Sequence, residues 1–217
     1  MSDLAIVAEL GANLFPWSYD RMCRLIEAAA KSGATCVKGQ LYMAEHFPLA
    51  EQSEKRETEF PRSELDSFVK IAKGMNMRSG FSVFGDEDVD DAVAAGAGFL
   101  KLAEREEDNF PLLFSVMESA RYLGLQVFRS VNWLSLLVGD HEAVDTGGRV
   151  ITLGCVPEYP VRRASHWNSP KLLKQYLPAP YGWSSHTVGW EDCVEAVRNG
   201  AVAIEKHLCL APSDPEG

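Results

Sequence analysis

The sequence predicts an α/β fold, most simply a (β/α)8 barrel. Short apolar, strand-like runs alternate with helical stripes along the whole chain, eight units in all. One junction recurs, in which small residues close a helix and an apolar strand then ends in a polar residue. It reads Ser32-Gly-Ala-Thr-Cys-Val-Lys38, Ala95-Gly-Ala-Gly-Phe-Leu-Lys101 and Asn199-Gly-Ala-Val-Ala-Ile-Glu205. Polar residues therefore collect at the C-terminal strand ends, where barrels of this kind carry their active sites. A doubly wound open sheet is the alternative, but no Gly-rich nucleotide loop follows the first strand.

Taken in order, Ala5 to Ala8 is an apolar strand ending at Glu9, and Gly11 and Pro16 mark a turn. Ser18 is placed to cap a helix whose stripe is Met22, Leu25, Ile26 and Ala29. Thr35 to Gln40 is the second strand; Lys38 and Gln40 share a face because alternate strand residues do. Residues 41–62 are polar and aperiodic and read as a long loop, either a lid or a solvated excursion. Ser63 is expected to cap a helix through Leu65, Phe68, Val69 and Ala72, ended by Gly74. Arg78 to Phe84 is the third strand and carries Ser82. Asp86 to Ala95 is a helix with acidic first turns, as the helix dipole prefers. Ala95-Gly-Ala-Gly-Phe-Leu-Lys101-Leu-Ala103 reads as strand four, Phe110 to Leu123 as a helix and Leu125 to Ser130 as strand five. Val131 to Gly148 reads as a helix. Arg149 to Cys155, strand six, leads to Glu158-Tyr159-Pro160, and Ser169 opens a helix through Leu172, Leu173 and Tyr176. Tyr181 to Ser184 is strand seven. Trp190, Cys193, Val194 and Val197 recur as one apolar helical face, Gly200 sits at the C-cap, and Val202 to Glu205 is strand eight. Ten residues follow His207, interrupted by Pro212 and Pro215, too few for the eighth helix of a standard barrel. The outer face of strand eight, with Val202 and Ile204, is then expected to be bare. A partner subunit or a further C-terminal region would cover it, so a homo-oligomer, most simply a dimer, is expected.

The 217 residues amount to one domain, expected to span 1–217, with an ordinary apolar content of 46%. A net charge of −10 argues against nucleic acid or an anionic membrane as partner. It leaves room for an anionic small substrate wherever lysines cluster. No apolar run is long enough to span a membrane, and the N-terminus lacks the pattern of a signal peptide. The five cysteines have no metal-type spacing and read as reduced thiols of a cytoplasmic protein. None has an adjacent base that would mark it as a nucleophile.

The chemistry is concentrated in Gly182 to His207. Ser184 and His186 close one strand, Glu205 and His207 the next, each pair spaced to face one way. Parallel neighbours lie roughly 5 Å apart, so His186 and His207 can meet over one divalent metal. Two imidazoles beside a carboxylate suit Mn, Zn or a similar ion with open positions, able to polarise a carbonyl oxygen. The bland alternative is two unrelated histidines, one satisfied in the core and one on the surface. Lys38 and Lys101 supply point charges for phosphate or carboxylate groups, and Ser82, Ser130 and Ser184 add hydroxyls. Glu9 or Glu205 can orient a hydroxyl or take a proton. These residues indicate metal-assisted chemistry on an anionic, oxygen-rich substrate without naming the reaction.

Several stretches, in order, resemble the barrel domain of the sialic acid synthase family, with its legionaminic, pseudaminic and spore-coat homologues. They are Ala8-Glu-Leu-Gly-Ala-Asn13, Gly33-Ala-Thr-Cys-Val-Lys38-Gly-Gln40, Phe99-Leu-Lys101, Asn109-Phe-Pro-Leu-Leu, Cys155-Val-Pro-Glu-Tyr-Pro160, Gly182-Trp-Ser-Ser-His-Thr-Val-Gly189 and Gly200-Ala-Val-Ala-Ile-Glu-Lys-His207. The resemblance implies condensation of phosphoenolpyruvate with the aldehyde of an N-acylated amino sugar, releasing phosphate. It implies that His186 and His207 hold the metal, Mn first and Mg, Co or Zn next. It assigns the enolpyruvate to Lys38, Lys101, Ser130 and Ser184, and the sugar or water to Glu9, Gln40, Tyr159 and Glu205. This chain departs from the family pattern at several positions. Leu14-Phe15-Pro16 replaces His-Asn-Gly, Val83 replaces a Thr, and Ser130-Val-Asn-Trp replaces Ser-Thr-Gly-Met. Glu104 replaces a phosphate-binding Ser, which Arg105 or the metal would have to offset. Pro157 replaces an Asn or Ser, Ser185 an Asp, and the C-terminal antifreeze-like domain is expected to be absent. A non-catalytic homologue that binds a metal or sugar, or serves as a subunit of an active partner, therefore stands as the alternative.

Overall fold

A computed structural model of the chain describes residues 4–133, 149–161, 170–177 and 179–214. Eight parallel strands close into a barrel in sequence order: β1 (Ala5–Glu9), β2 (Cys36–Leu41), β3 (Arg78–Val83), β4 (Phe99–Leu102), β5 (Gln126–Asn132), β6 (Val150–Cys155), β7 (Tyr181–Ser185) and β8 (Ala203–His207). The closing pair is β1 with β8, aligned from Ala5 beside Ala203 to Glu9 beside His207. This is the predicted (β/α)8 fold.

The period of two along each strand sorts the barrel interior by height. Ala5 and Val7, Cys36, Phe99, Phe128, Ile151, Leu153 and Ala203 form one buried apolar cluster at the N-terminal end. Two residues further along the same faces stand Glu9, Lys38, Lys101, Ser130, Cys155 and Glu205. Each strand thus spends its first inward positions on packing and its last on polar groups. Register then sets lateral neighbours: Glu9 beside Lys38, Gln40 beside Ser82, Ser82 beside Lys101, and Ser184 beside Glu205.

Gly80 makes room for this packing. A Cβ there would lie 2.4 Å from both the Phe99 ring and the Phe99 carbonyl oxygen. The ring could move; the carbonyl belongs to the neighbouring strand and cannot. Gly80→Ala is therefore expected to lower stability by about 1–3 kcal/mol through overpacking, read as a shift in the urea midpoint at unchanged slope.

Outside the barrel, α1 (Tyr19–Lys31), α2 (Leu49–Glu57), α3 (Leu65–Gly74), α4 (Asp86–Ala94) and α5 (Phe110–Leu123) connect the first five strands. In α1 the Ser18 hydroxyl accepts from the Arg21 amide at 3.0 Å, and Met22, Leu25, Ile26 and Ala29 are all buried, as the spacing predicts. Short helices at Leu173–Tyr176 and Glu191–Arg198 flank β7. None of the described helices is long and apolar enough to cross a membrane.

Four expectations change. Residues 41–62 are not structureless: they hold a 3-10 turn (Ala44–His46), α2, and the start of a second turn (Arg62–Glu64). Ser63 caps nothing; it lies inside that second turn, which Arg62 anchors by pairing with Asp88 and Asp91. The helix after β7 buries Asp192, Cys193 and Ala196, while Trp190 and Val197 are exposed. The Trp183 indole N–H donates to Asp192 at 2.8 Å, which turns a charged residue inward and rotates the expected face. Val202 and Ile204 are partly buried rather than bare, each packed against a core cluster. After β8 the chain folds back with no helix through residue 214. Leu208 bonds Glu9, Asn13 bonds Leu208, and Asp214 pairs with Arg21 at 2.9 Å. Most of the helix expected over Val131–Gly148, and Ser169 of the next, lie outside the described residues; Val131 itself belongs to β5.

Candidate active site

A cavity of about 360 Å³ opens at the C-terminal end of the barrel. Every site residue singled out from the sequence lines it: Glu9, Lys38, Gln40, Ser82, Lys101, Ser130, Tyr159, Ser184, His186, Glu205 and His207.

Its floor is a buried set of two ammonium and two carboxylate groups, with Glu9, Lys38, Lys101 and Glu205 at most 6% exposed. Lys38 pairs closely with Glu9 and donates to the Ser82 hydroxyl at 2.5 Å. Lys101 donates to Glu205 Oε1 at 2.5 Å, and the Ser184 hydroxyl donates to the same oxygen at 3.0 Å. Lys38 stands 3.9 Å from Glu205 Oε2, so that carboxylate faces both lysines. Gln40 donates to Glu9 at 3.3 Å. Burial pushes the Glu205 pKa up, but Lys101 and Lys38 outweigh it and hold the carboxyl at about 2. The two lysines that the sequence offers as anion binders thus already have carboxylate partners. Among the described residues, Ser130 Oγ and Glu205 Oε2 are two of the buried atoms without a hydrogen-bond partner. Buried polar atoms are ordinarily satisfied, so these two are placed to receive something from the cavity.

The imidazoles form one wall. His186 follows directly on β7, and His207 ends β8. Their ring centroids are 5.5 Å apart, and the half-exposed Tyr159 ring lies 4.0 Å from His186 and 5.6 Å from His207. His186 Nδ1 sits 2.7 Å from the Val156 carbonyl oxygen. A carbonyl can only accept, so Nδ1 carries the proton and Nε2 keeps its lone pair. Burial drives the His186 pKa down to about 4; the Val156 carbonyl opposes this, and His207 and Lys101 reinforce it. An unfolded imidazole takes its proton near pH 6.5 and the folded one does not, so in metal-free protein stability is lost as pH falls from about 6.5 towards about 4. Imidazole NMR titration should find His186 neutral down to about pH 5.

Such a ring is oriented as metal-ligating histidines are, with one nitrogen on a carbonyl and the other bare. Among the described residues no set of three or more His, Cys, Asp or Glu donors converges. Were an ion held at this wall, the described residues would offer it the His186–His207 pair and leave its other positions open. Cys155 also lines the cavity, but burial pushes its thiol far up, which leaves it protonated and inert. All five cysteines are free.

Sequence reasoning missed the outer rim. Phe47, Lys55 and Arg105 also line the cavity. Lys55 lies in the stretch read as a loop, and Arg105 entered only as a counterweight to Glu104. Glu104 Oε1 in fact accepts from the Asn132 side chain at 3.0 Å.

The NeuB family model matches residues 25–216, nearly the whole chain. This chain belongs to the NeuB family. Among its relatives is an uncharacterised protein of Methanocaldococcus jannaschii, 27% identical over 213 residues, covering 94% of this chain and 62% of that one. The N,N'-diacetyllegionaminic acid synthase of Legionella pneumophila is 24% identical over 232 residues, covering 97% and 65%. The NeuB-family chain thus spans a little under two thirds of these relatives. Among solved structures, the N-acetylneuraminic acid synthetase of Leptospira borgpetersenii, in complex with citrate, matches with a TM-score of 0.79 at 25% identity over 96% of this chain and 74% of that one. A spore coat polysaccharide biosynthesis protein of Bacillus subtilis shares the fold, with a TM-score of 0.74 at 22% identity over 98% and 62%.

Proposed function

We propose that this NeuB-family chain condenses phosphoenolpyruvate with the aldehyde of an open-chain N-acylated amino sugar, giving a sialic-acid-like 2-keto acid and phosphate. The observation that carries the reading is that His186 and His207 wall the same cavity that Lys38 and Lys101 floor. In this reading the enolpyruvate methylene carbon bonds to the aldehyde carbon, water adds at the carbon bearing the phosphate, and phosphate leaves. A divalent ion, Mn first and Mg, Co or Zn next, held by His186 and His207, would act as a Lewis acid towards the aldehyde oxygen.

The protein's groups then divide the remaining work. Lys38 and Lys101 take the phosphate and carboxylate of the enolpyruvate, trading part of their pairing with Glu9 and Glu205 for the substrate's charges. Ser130 Oγ, buried and unpartnered, donates to one of those oxygens. Glu205 stays ionised and is too weak a base to take a proton near neutral pH. Its bare Oε2 instead accepts from a water or sugar hydroxyl and orients it. Glu9, Gln40 and Tyr159 hold the sugar at the rim. The reading belongs to carbohydrate biosynthesis and to the cytoplasm.

The test is phosphate release from phosphoenolpyruvate with Mn and a panel of N-acylated sugars. Release that needs both sugar and metal is expected. No release with any sugar, and no heat of phosphoenolpyruvate binding, would overturn the reading. That outcome would favour a non-catalytic homologue, towards which Glu104 and Pro157, both lining the cavity, already lean.

A further inference from the structure

The imidazole wall borders open space twice over. A second cavity, of about 370 Å³, shares the His186, His207 and Tyr159 rings with the first. Side chains in a close-packed core are held by their neighbours, whereas these rings stand between two cavities and need another restraint. His186 needs it more. It lies one residue past β7, and the ladder between β7 and β8 ends with Ser185 beside Lys206. His207 is still inside β8, with Glu9 of β1 beside it.

Lys206 supplies that restraint from the β8 side. Strand alternation turns Glu205 and His207 towards the first cavity and Lys206 the other way. Its ammonium donates to the Ser185 hydroxyl at 2.8 Å and to the Thr187 carbonyl oxygen at 2.7 Å. These are the two residues that flank His186. The ammonium thus carries the connection between the strands past the last ladder pair. The Ser185 and Thr187 hydroxyls lie 3.3 Å apart, so the turn closes around the same point. A charged donor makes both bonds stronger than neutral ones of the same length.

The segment after β6 holds His186 from the opposite direction. The Val161 amide donates to the His186 carbonyl at 2.9 Å, and the Val156 carbonyl takes the proton of Nδ1 at 2.7 Å. Those contacts fix the ring relative to β6. Its place relative to His207 depends on the tie to β8, and there Lys206, the residue before His207, bonds both neighbours of His186. The two ring centroids are 5.5 Å apart, and groups that share one ligand must be held to within about 0.5 Å.

We propose, on the metal reading of the preceding section, that Lys206 is a positioning residue: it sets the gap between the His186 and His207 rings at which the two share one divalent ion. It acts through the turn that carries His186 and not on the substrate. Removing an outer contact of this kind costs about 10- to 100-fold in metal affinity. The floor should not feel the change, because Lys38 and Lys101 stand on β2 and β4. Lys206 therefore governs metal affinity separately from phosphoenolpyruvate affinity.

The test is Mn binding to the full chain by electron paramagnetic resonance, native against Lys206→Met, which keeps most of the stem and removes the charge. The Mn dissociation constant should rise by about tenfold or more. Phosphoenolpyruvate affinity measured without metal should stay the same, and Lys206→Arg, which can reach the same two oxygens, should recover most of the Mn affinity. A metal-free readout runs beside it. The Tyr159 ring, 4.0 Å from His186, displaces the His186 proton signals by its ring current, so those signals report where the ring stands. In Lys206→Met they should move or broaden at about pH 7.5, above the ordinary imidazole range, while those of His46 stay. Should Lys206→Met fail to fold, Ser185→Ala removes one of the two acceptors and should move both readouts the same way by less. Unchanged Mn affinity in the variant overturns the proposal. So does a loss that Lys206→Arg does not recover, or one matched by an equal loss of phosphoenolpyruvate affinity. If the native chain binds no Mn, the metal reading fails and the metal-free signals decide: displaced His186 signals keep Lys206 as the residue that sets the imidazole gap, and unmoved ones overturn that as well.

Discussion

His186→Ala is expected to cut sugar-dependent phosphate release by a factor on the order of 10³, and to lose Mn on gel filtration. The size follows from what the ring is proposed to do. Lewis-acid polarisation of a carbonyl contributes several kcal/mol to the transition state, and each 1.4 kcal/mol is a factor of ten. The rate loss should come with metal loss because the two imidazoles are the only His, Cys, Asp or Glu donors that the described residues bring to that wall, and one ring cannot replace two. His207→Ala should behave alike. Stability should change little, since the ring is partly exposed and its one strong bond is to the Val156 carbonyl. Full metal retention and full rate in both single variants would show that the imidazole pair is not the metal seat.

The site was legible because a strand has a period of two and a barrel has one working end. Glu9 two residues after Val7, Lys38 after Cys36 and Glu205 after Ala203 each follow an inward apolar residue on the same face, so their convergence could be read without coordinates. The charge pairing could not be read. Lys101 and Glu205 are 104 positions apart and meet across the barrel, so the sequence offers two free cations where the fold has a neutral quartet. α2 was missed for a different reason. It buries nothing, and so it leaves no apolar stripe to find. The helix after β7 does have a stripe, but the Trp183–Asp192 hydrogen bond overrides it, a tertiary contact that no local pattern contains.

That neutral quartet sets the second large effect. Lys101→Met is expected to destabilise the protein by about 3–5 kcal/mol, because it strips a buried carboxylate of its nearest cation. Glu205 is 2% exposed, and Lys38, its other positive neighbour, is 3.9 Å away and already committed to Glu9 and Ser82. Adding Glu205→Leu to Lys101→Met should recover most of the loss, since a buried pair replaced on both sides by apolar groups is often neutral in stability. Acid sensitivity gives an independent reading of the same contact. The folded Glu205 carboxyl is held at about 2, below the ordinary 4.5, so protonation favours the unfolded chain. Its contribution is complete above about pH 4.5 and is lost as pH falls through about 2. Removing the Lys101 charge raises the folded pKa and shrinks that acid-dependent share. Denaturant midpoints measured from pH 7 down to pH 3 should therefore fall less steeply for Lys101→Met than for the native chain. A cost under 1 kcal/mol, the size of an exposed ion pair, with an unchanged acid profile would mean that water reaches the floor of the barrel and that Lys101 and Glu205 do not depend on each other.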